Sequence, residues 1–134
     1  MPVLSILLVD DHPVIREGLG DLIAATAGLT VWGTAESGDD ALVQLKATAT
    51  TRTFRGDGPS VVVTDVHMPP GMDGIALVAE VRSRWPALPC VVFSAQRSHA
   101  YAERARAAGA SGYVDKGDLD ELIAAVFRAG SGAA

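Results

Sequence analysis

"VVVTDVHMPP", residues 61–70, runs three valines into a carboxylate, Asp65, and then into a proline-rich turn. Valines without polar alternation mark a strand buried on both faces, the kind found in parallel sheets covered by helices. A strand that only fills a core has no use for a charge at its tip. Asp65 therefore directs attention to what this sheet presents at its edge.

Outward from that strand, apolar runs alternate with segments of helical period. "VLSILLV" (3–9) reads as a first buried strand, followed by a helix with Pro13 in its first turn and Ile15, Leu19, Leu22 and Ile23 along one side. "LTVWGTA" (29–35) is the second strand, and Ser37 suits the cap of a helix over 39–47. "SVVVTDV" (60–66) is the third, and Asp73 begins a helix carrying Ile75, Val78, Val81 and Trp85. "LPCVVFSA" (88–95) is the fourth, followed by an alanine-rich helix over 98–108 closed by Gly109. "SGYVDK" (111–116) is a short fifth strand, and a last helix starts near Asp118 with Leu119, Leu122, Ile123, Val126 and Phe127 at helical spacing.

Five strand–helix pairs in alternation imply one parallel sheet with helices on both faces. With 134 residues the chain suits one domain and an open sheet, since a barrel takes about 250. Segment 47–59, "ATATTRTFRGDGP", breaks the rhythm and reads as a surface loop; a docking role for Arg52, Phe54 and Arg55 is the sharper alternative.

The totals exclude several classes. Net charge is −5 and the pI near 5.0, which argues against this domain gripping nucleic acid by itself. The single cysteine, Cys90, sits in the apolar run "CVVF" and reads as a small buried hydrophobe in a reducing compartment. The opening "MPVLSILLVDD" lacks a basic leader and reads as a strand, and no apolar run is long enough to cross a bilayer. A cytoplasmic protein is expected.

In open parallel sheets, ligands bind beyond the carboxyl ends of the strands. Strand one delivers Asp10 and Asp11 there, strand three Asp65, strand four Ser94 and strand five Lys116. Strand two delivers only Glu36 and Ser37, which suit loop and cap chemistry. Three neighbouring carboxylates repel one another, and a divalent oxygen-loving cation relieves that. The histidines His12, His67 and His99 are scattered, which argues against ring ligation and favours Mg²⁺ over zinc. If the strands run in the order 2-1-3-4-5, strand five lies about 9–10 Å from strand three. A lysine spans much of that gap, whereas Ser94, one strand away, needs only a hydroxyl. Cation, lysine and hydroxyl around one carboxylate make a clamp for a phosphoryl group with the carboxylate as nucleophile.

"LLVDDHPVIREGL", "VVVTDVHMPPGMDG", "VVFSA" and "AGASGYVDK" occur in the order found in the receiver domain of two-component response regulators. The chain resembles that family over essentially its whole length, and "DDHPVIREGL" with "AGASGY" is similar to its LuxR/NarL-type branch. The resemblance implies a flavodoxin-like open five-stranded parallel sheet of five βα units. It implies Asp65 as phosphoacceptor for a sensor histidine kinase. Mg²⁺ would be held by Asp11, Asp65 and the backbone carbonyl of His67, with Asp10 assisting through water. Lys116, Ser94 and Ala95 would bind the phosphoryl group, and Ser94 with Tyr113 would act as the switch. Residues 1–129 would form the receiver, with 130–134 ("GSGAA") starting a linker to an absent helix-turn-helix output domain, the only route to DNA. No membrane partner is implied, and a homodimer on phosphorylation is left open.

Three places depart from the family pattern. "MPPGMDG" is one residue longer than the usual loop, the 47–59 segment is long, and Gly117 follows Lys116 where many receivers have proline. A phosphorylation-independent receiver-like interaction module is the alternative function. A small-molecule phosphohydrolase is the less favoured one, since His67 stands where a dehalogenase-type enzyme wants an aspartate. Taken singly, Asp11 also suits a cap for the first helix, Ser94 a cap for the fourth, Thr64 packing and Tyr113 a half-buried strand aromatic.

Overall fold

The structure, a computed structural model, describes residues 3–49, 58–69, 71–95 and 99–131. Its elements are β1 (Leu4–Val9), α1 (Pro13–Ala24), β2 (Leu29–Ala35), α2 (Gly38–Thr48), β3 (Val61–Thr64), α3 (Gly74–Arg84), β4 (Cys90–Ser94), α4 (His99–Ala108), β5 (Gly112–Asp115) and α5 (Leu119–Gly130). The strands are parallel and ordered β2-β1-β3-β4-β5, the doubly wound, flavodoxin-like arrangement that the alternation predicts.

Side-chain alternation explains why the strand sequences are unbroken runs of apolar residues. Ile6 and Leu8 of β1 enter one core with Leu19 and Ile23 of α1 and Leu122, Ala125 and Val126 of α5. Leu7 and Val9 enter the other, with Ala41 and Leu45 of α2, Val78 and Val81 of α3 and Ala105 of α4. The three valines of β3 divide the same way: Val61 and Val63 face α1 and α5, and Val62 faces the opposite layer. Each is at most 2% exposed, and burial of such a side chain contributes about 1.5–3 kcal/mol. Helix ends follow the capping residues in the sequence. Ser37, Asp73 and Asp118 each accept the backbone N–H three residues on. Gly109, at φ +108°, takes the left-handed conformation that closes α4.

Three local readings are corrected, and the alternative of Asp11 as a helix cap falls away. β3 stops at Thr64 rather than 66: the Asp65 N–H still donates to the Val9 carbonyl, but the Val66 N–H turns to Asp65 Oδ1 at 2.7 Å. The ladder therefore ends on a side chain. The α1 cap position is His12, not Asp11, and no side-chain cap bond forms there. Ile15 is 39% exposed because it lines an open groove with Val14 and Leu119 between α1 and α5. β4 begins at Cys90 rather than at Leu88. Arg52, Phe54 and Arg55 of the alternative docking reading, Pro70 of the longer loop and the Ser98 helix start lie outside the described residues. No helix among the described residues is long and apolar enough to cross a membrane.

Candidate functional site

The carboxyl edges of β1, β3 and β5 bring Asp10, Asp11, Asp65 and Lys116 together. Lys116 Nζ lies 3.0 Å from Asp10 Oδ2 and 3.1 Å from Asp65 Oδ2. A two-strand reach by a long side chain is what the observed strand order requires. Burial by itself would lower the Lys116 pKa. Hydrogen bonds to Asp10 and Asp65, and the charges of both carboxylates, outweigh it and hold the ammonium above its ordinary value of 10.5. Its stem is anchored from the backbone, where the Lys116 N–H donates to the Ser94 carbonyl at 2.9 Å. Ser94 thus sits buried at the tip of β4, with exposed Ala95 beside it.

Asp65 is buried to 6% exposure, and its surroundings fix both backbone and side chain. Buried Thr64 donates from Oγ1 to the Asp65 carbonyl at 2.9 Å, so its packing role also carries a hydrogen bond. Gly74 packs against that same carbonyl: a Cβ there would fall 1.7 Å from the Asp65 oxygen. The Gly74 N–H donates to the Val66 carbonyl at 2.8 Å, closing the loop 66–73 onto the start of α3. Within this loop His67 is exposed and meets the Tyr101 ring edge-on, with centroids 5.3 Å apart. Arg104 lies over the Tyr101 ring at 5.4 Å and 3.7 Å from Asp73 Oδ2. On the opposite flank, the Met72 side chain packs where a Cβ on Gly38 would fall. The loop after Asp65 is therefore held between α2 and α4.

Asp10 is 2% exposed, and its carbonyl accepts from Arg16 Nη1 at 2.6 Å. Its Oδ1 accepts the His12 N–H at 2.9 Å, with His12 Nδ1 3.2 Å away. Asp11 Oδ1 is buried without a hydrogen-bond partner, although His12 Nδ1 approaches it to 3.0 Å at ion-pair range. Two of the three carboxylates, Asp10 and Asp65, share the Lys116 ammonium, and one donor atom each from Asp10, Asp11, His12 and Asp65 lies within 4.8 Å of the others. This donor set fits a divalent cation, and the orphaned Asp11 oxygen supports that fit.

Glu36 and Ser37 stay out of this cluster and serve α2: Ser37 Oγ accepts the Asp40 N–H, and the Glu36 N–H donates to Asp40 Oδ2. Tyr113 is half-buried on β5 opposite Val92 and packs against the core under α2, α3 and α4. Four contributors escaped the sequence reading: the His12 ring, Arg16, Gly74 and Tyr101. Only Gly74 carried a local signal, since a poor helix former directly after a cap residue calls for a close approach.

Residues 6–127 match the family described as the response regulator receiver domain. The chain is 39% identical over 132 residues to the DNA-binding transcriptional activator DevR/DosR of Mycobacterium tuberculosis, covering 97% of this chain and 56% of that protein. It is 30% identical over 129 residues to the nitrate/nitrite response regulator protein NarL of Escherichia coli, covering 96% of this chain and 55% of that protein. The chain thus spans about half the length of these relatives. Among solved structures it resembles a LuxR-family two-component response regulator from Aurantimonas sp. SI85-9A1, with a TM-score of 0.84 and 33% identity over 97% of this chain and 86% of that one.

Proposed function

The chain belongs to the response regulator receiver family, and we propose that Asp65 accepts a phosphoryl group from the phosphohistidine of a sensor kinase. The observation that carries this reading is a buried Asp65 carboxylate held 3.1 Å from an ammonium, beside two further aspartates. Asp65 Oδ1 already accepts the Val66 N–H, which leaves Oδ2, the oxygen nearest Lys116, as the nucleophile. It forms the new bond to phosphorus as the phosphorus–nitrogen bond to the donor imidazole breaks. The ammonium then transfers its contact from the carboxylate to the phosphoryl oxygens, joined by the Ser94 hydroxyl and the Ala95 N–H.

Asp11, Asp65 and the His67 carbonyl would hold Mg²⁺, with Asp10 assisting through water. The ion supplies charge neutralisation for the incoming anion. Arrival of the phosphoryl group biases Ser94 and Tyr113 toward a second arrangement, and the face carrying Tyr113 transmits the state. The module is a switch rather than a turnover enzyme, although it promotes its own phosphotransfer. Residues 1–129 form the receiver, and 130–134 begin a linker to a DNA-binding output in a longer cytoplasmic regulator, with Gly130 still the last residue of α5. The DNA-binding description of the Mycobacterium tuberculosis relative and the greater length of both relatives support that extension.

Acetyl phosphate with Mg²⁺ tests the reading by intact mass. Wild type gains one phosphate and Asp65→Asn gains none. No gain in wild type would overturn it in favour of a phosphorylation-independent scaffold, and multiple turnover on small phosphate esters would overturn it in favour of a hydrolase.

A further inference from the structure

The His12 side chain stands at the head of α1 without a capping task. Its backbone is extended, at φ −91° and ψ 110°, and no side-chain cap bond forms. Its N–H donates to Asp10 Oδ1, which turns the ring back toward the acidic pair. Nδ1 consequently lies 3.0 Å from Asp11 Oδ1 and 3.2 Å from Asp10 Oδ1. Two ligands bound at about 2.1 Å and at right angles on one ion are about 3.0 Å apart. The Nδ1–Asp11 separation, an ion-pair distance in the metal-free site, also matches that of adjacent ligands on a shared ion. Asp11 Oδ1, buried and lacking a hydrogen-bond partner, is the oxygen such an ion would satisfy.

We propose that, against the expectation from the scattered histidines, His12 Nδ1 is a metal ligand alongside Asp11 and Asp65, giving this pocket a nitrogen donor and a preference over Mg²⁺ for first-row transition-metal ions, with Mn²⁺, at the low end of that series, as the probe. The inference rests on reading the acidic pocket as a cation site. Mg²⁺ is hard, holds its waters and gains little from an imidazole, whereas affinity for nitrogen rises through the first-row divalent series. With the ring proton on Nε2, Nδ1 offers its lone pair to the ion instead of a hydrogen bond to Asp10. Because the ring is 62% exposed and caps nothing, its removal leaves the fold intact.

Calorimetric titration of wild type, His12→Ala and His12→Gln with Mg²⁺ and with Mn²⁺ tests this, together with pulsed electron paramagnetic resonance of the Mn²⁺ complexes. Expected are Mg²⁺ affinities alike within about threefold, a tenfold or greater loss of Mn²⁺ affinity in both variants, and a ¹⁴N modulation in wild type that His12→Ala abolishes. Normal Mg²⁺ binding with unchanged Mn²⁺ affinity, or a ¹⁴N signal absent from wild type or persisting in His12→Ala, overturns the His12 assignment alone. Failure of wild type to bind either ion overturns the cation-site reading and this inference with it.

Discussion

Lys116 Nζ stands 3.1 Å from Asp65 Oδ2, joining the ends of two strands that are not neighbours in the sheet. The contact holds the ammonium charged, so folding raises the pKa of Lys116 above its ordinary 10.5. A raised value means that the folded state binds the proton more tightly. The associated stability is fully present below pH 10.5 and is lost as pH rises through the folded value. Urea unfolding should show Lys116→Met differing from wild type at pH 8, with the gap narrowing above pH 10.5. A gap independent of pH would remove this ion pair as the cause.

Gly74→Ala should be among the most damaging single-methyl additions in the chain. The new Cβ would fall 1.7 Å from the Asp65 carbonyl oxygen, which is backbone and cannot rotate away. Overpacking typically costs about 1–3 kcal/mol, and a backbone clash belongs at or above the upper end. Denaturant titration giving a loss below about 1 kcal/mol would mean that α3 shifts freely.

The His67–Tyr101 edge contact should couple the loop after Asp65 to α4 energetically. A double-mutant cycle with His67→Ala and Tyr101→Ala is expected to return about 0.5 kcal/mol of interaction, the lower end for aromatic pairs because His67 is exposed. Additive losses would show that the ring geometry carries no coupling.

Cys90 should be inert in the native state. Its thiol is fully buried, and burial pushes its pKa up to about 12, with the Arg82 charge opposing only in part. At pH 8 a disulfide reagent should label it at the rate of unfolding, and in urea at once. Rapid native labelling would place the thiol at the surface.

Architecture was legible in the sequence because it depends on local regularities. Unbroken runs such as Val61–Val63 and Val91–Phe93 require burial on both faces, and Ser37, Asp73, Gly109 and Asp118 punctuate helices through their own backbone neighbours. The strand-end arithmetic also held, since it needed only the parallel order to bring Asp10, Asp65 and Lys116 to one edge. Periodicity misplaced Ile15, which shares a helical face with Leu19 but lines an open groove instead of the core.

What the chain order alone established is which groups reach the edge of the sheet: the side-chain period of a strand, and the residue that follows it, are properties of a few consecutive positions. Only the folded arrangement determined what those groups touch. Lys116 Nζ between Asp10 and Asp65, the Gly74 backbone against the Asp65 carbonyl and Tyr101 beside His67 join positions by packing, angle and distance. Such contacts are set by the mutual placement of whole elements, and no spacing along the chain encodes them.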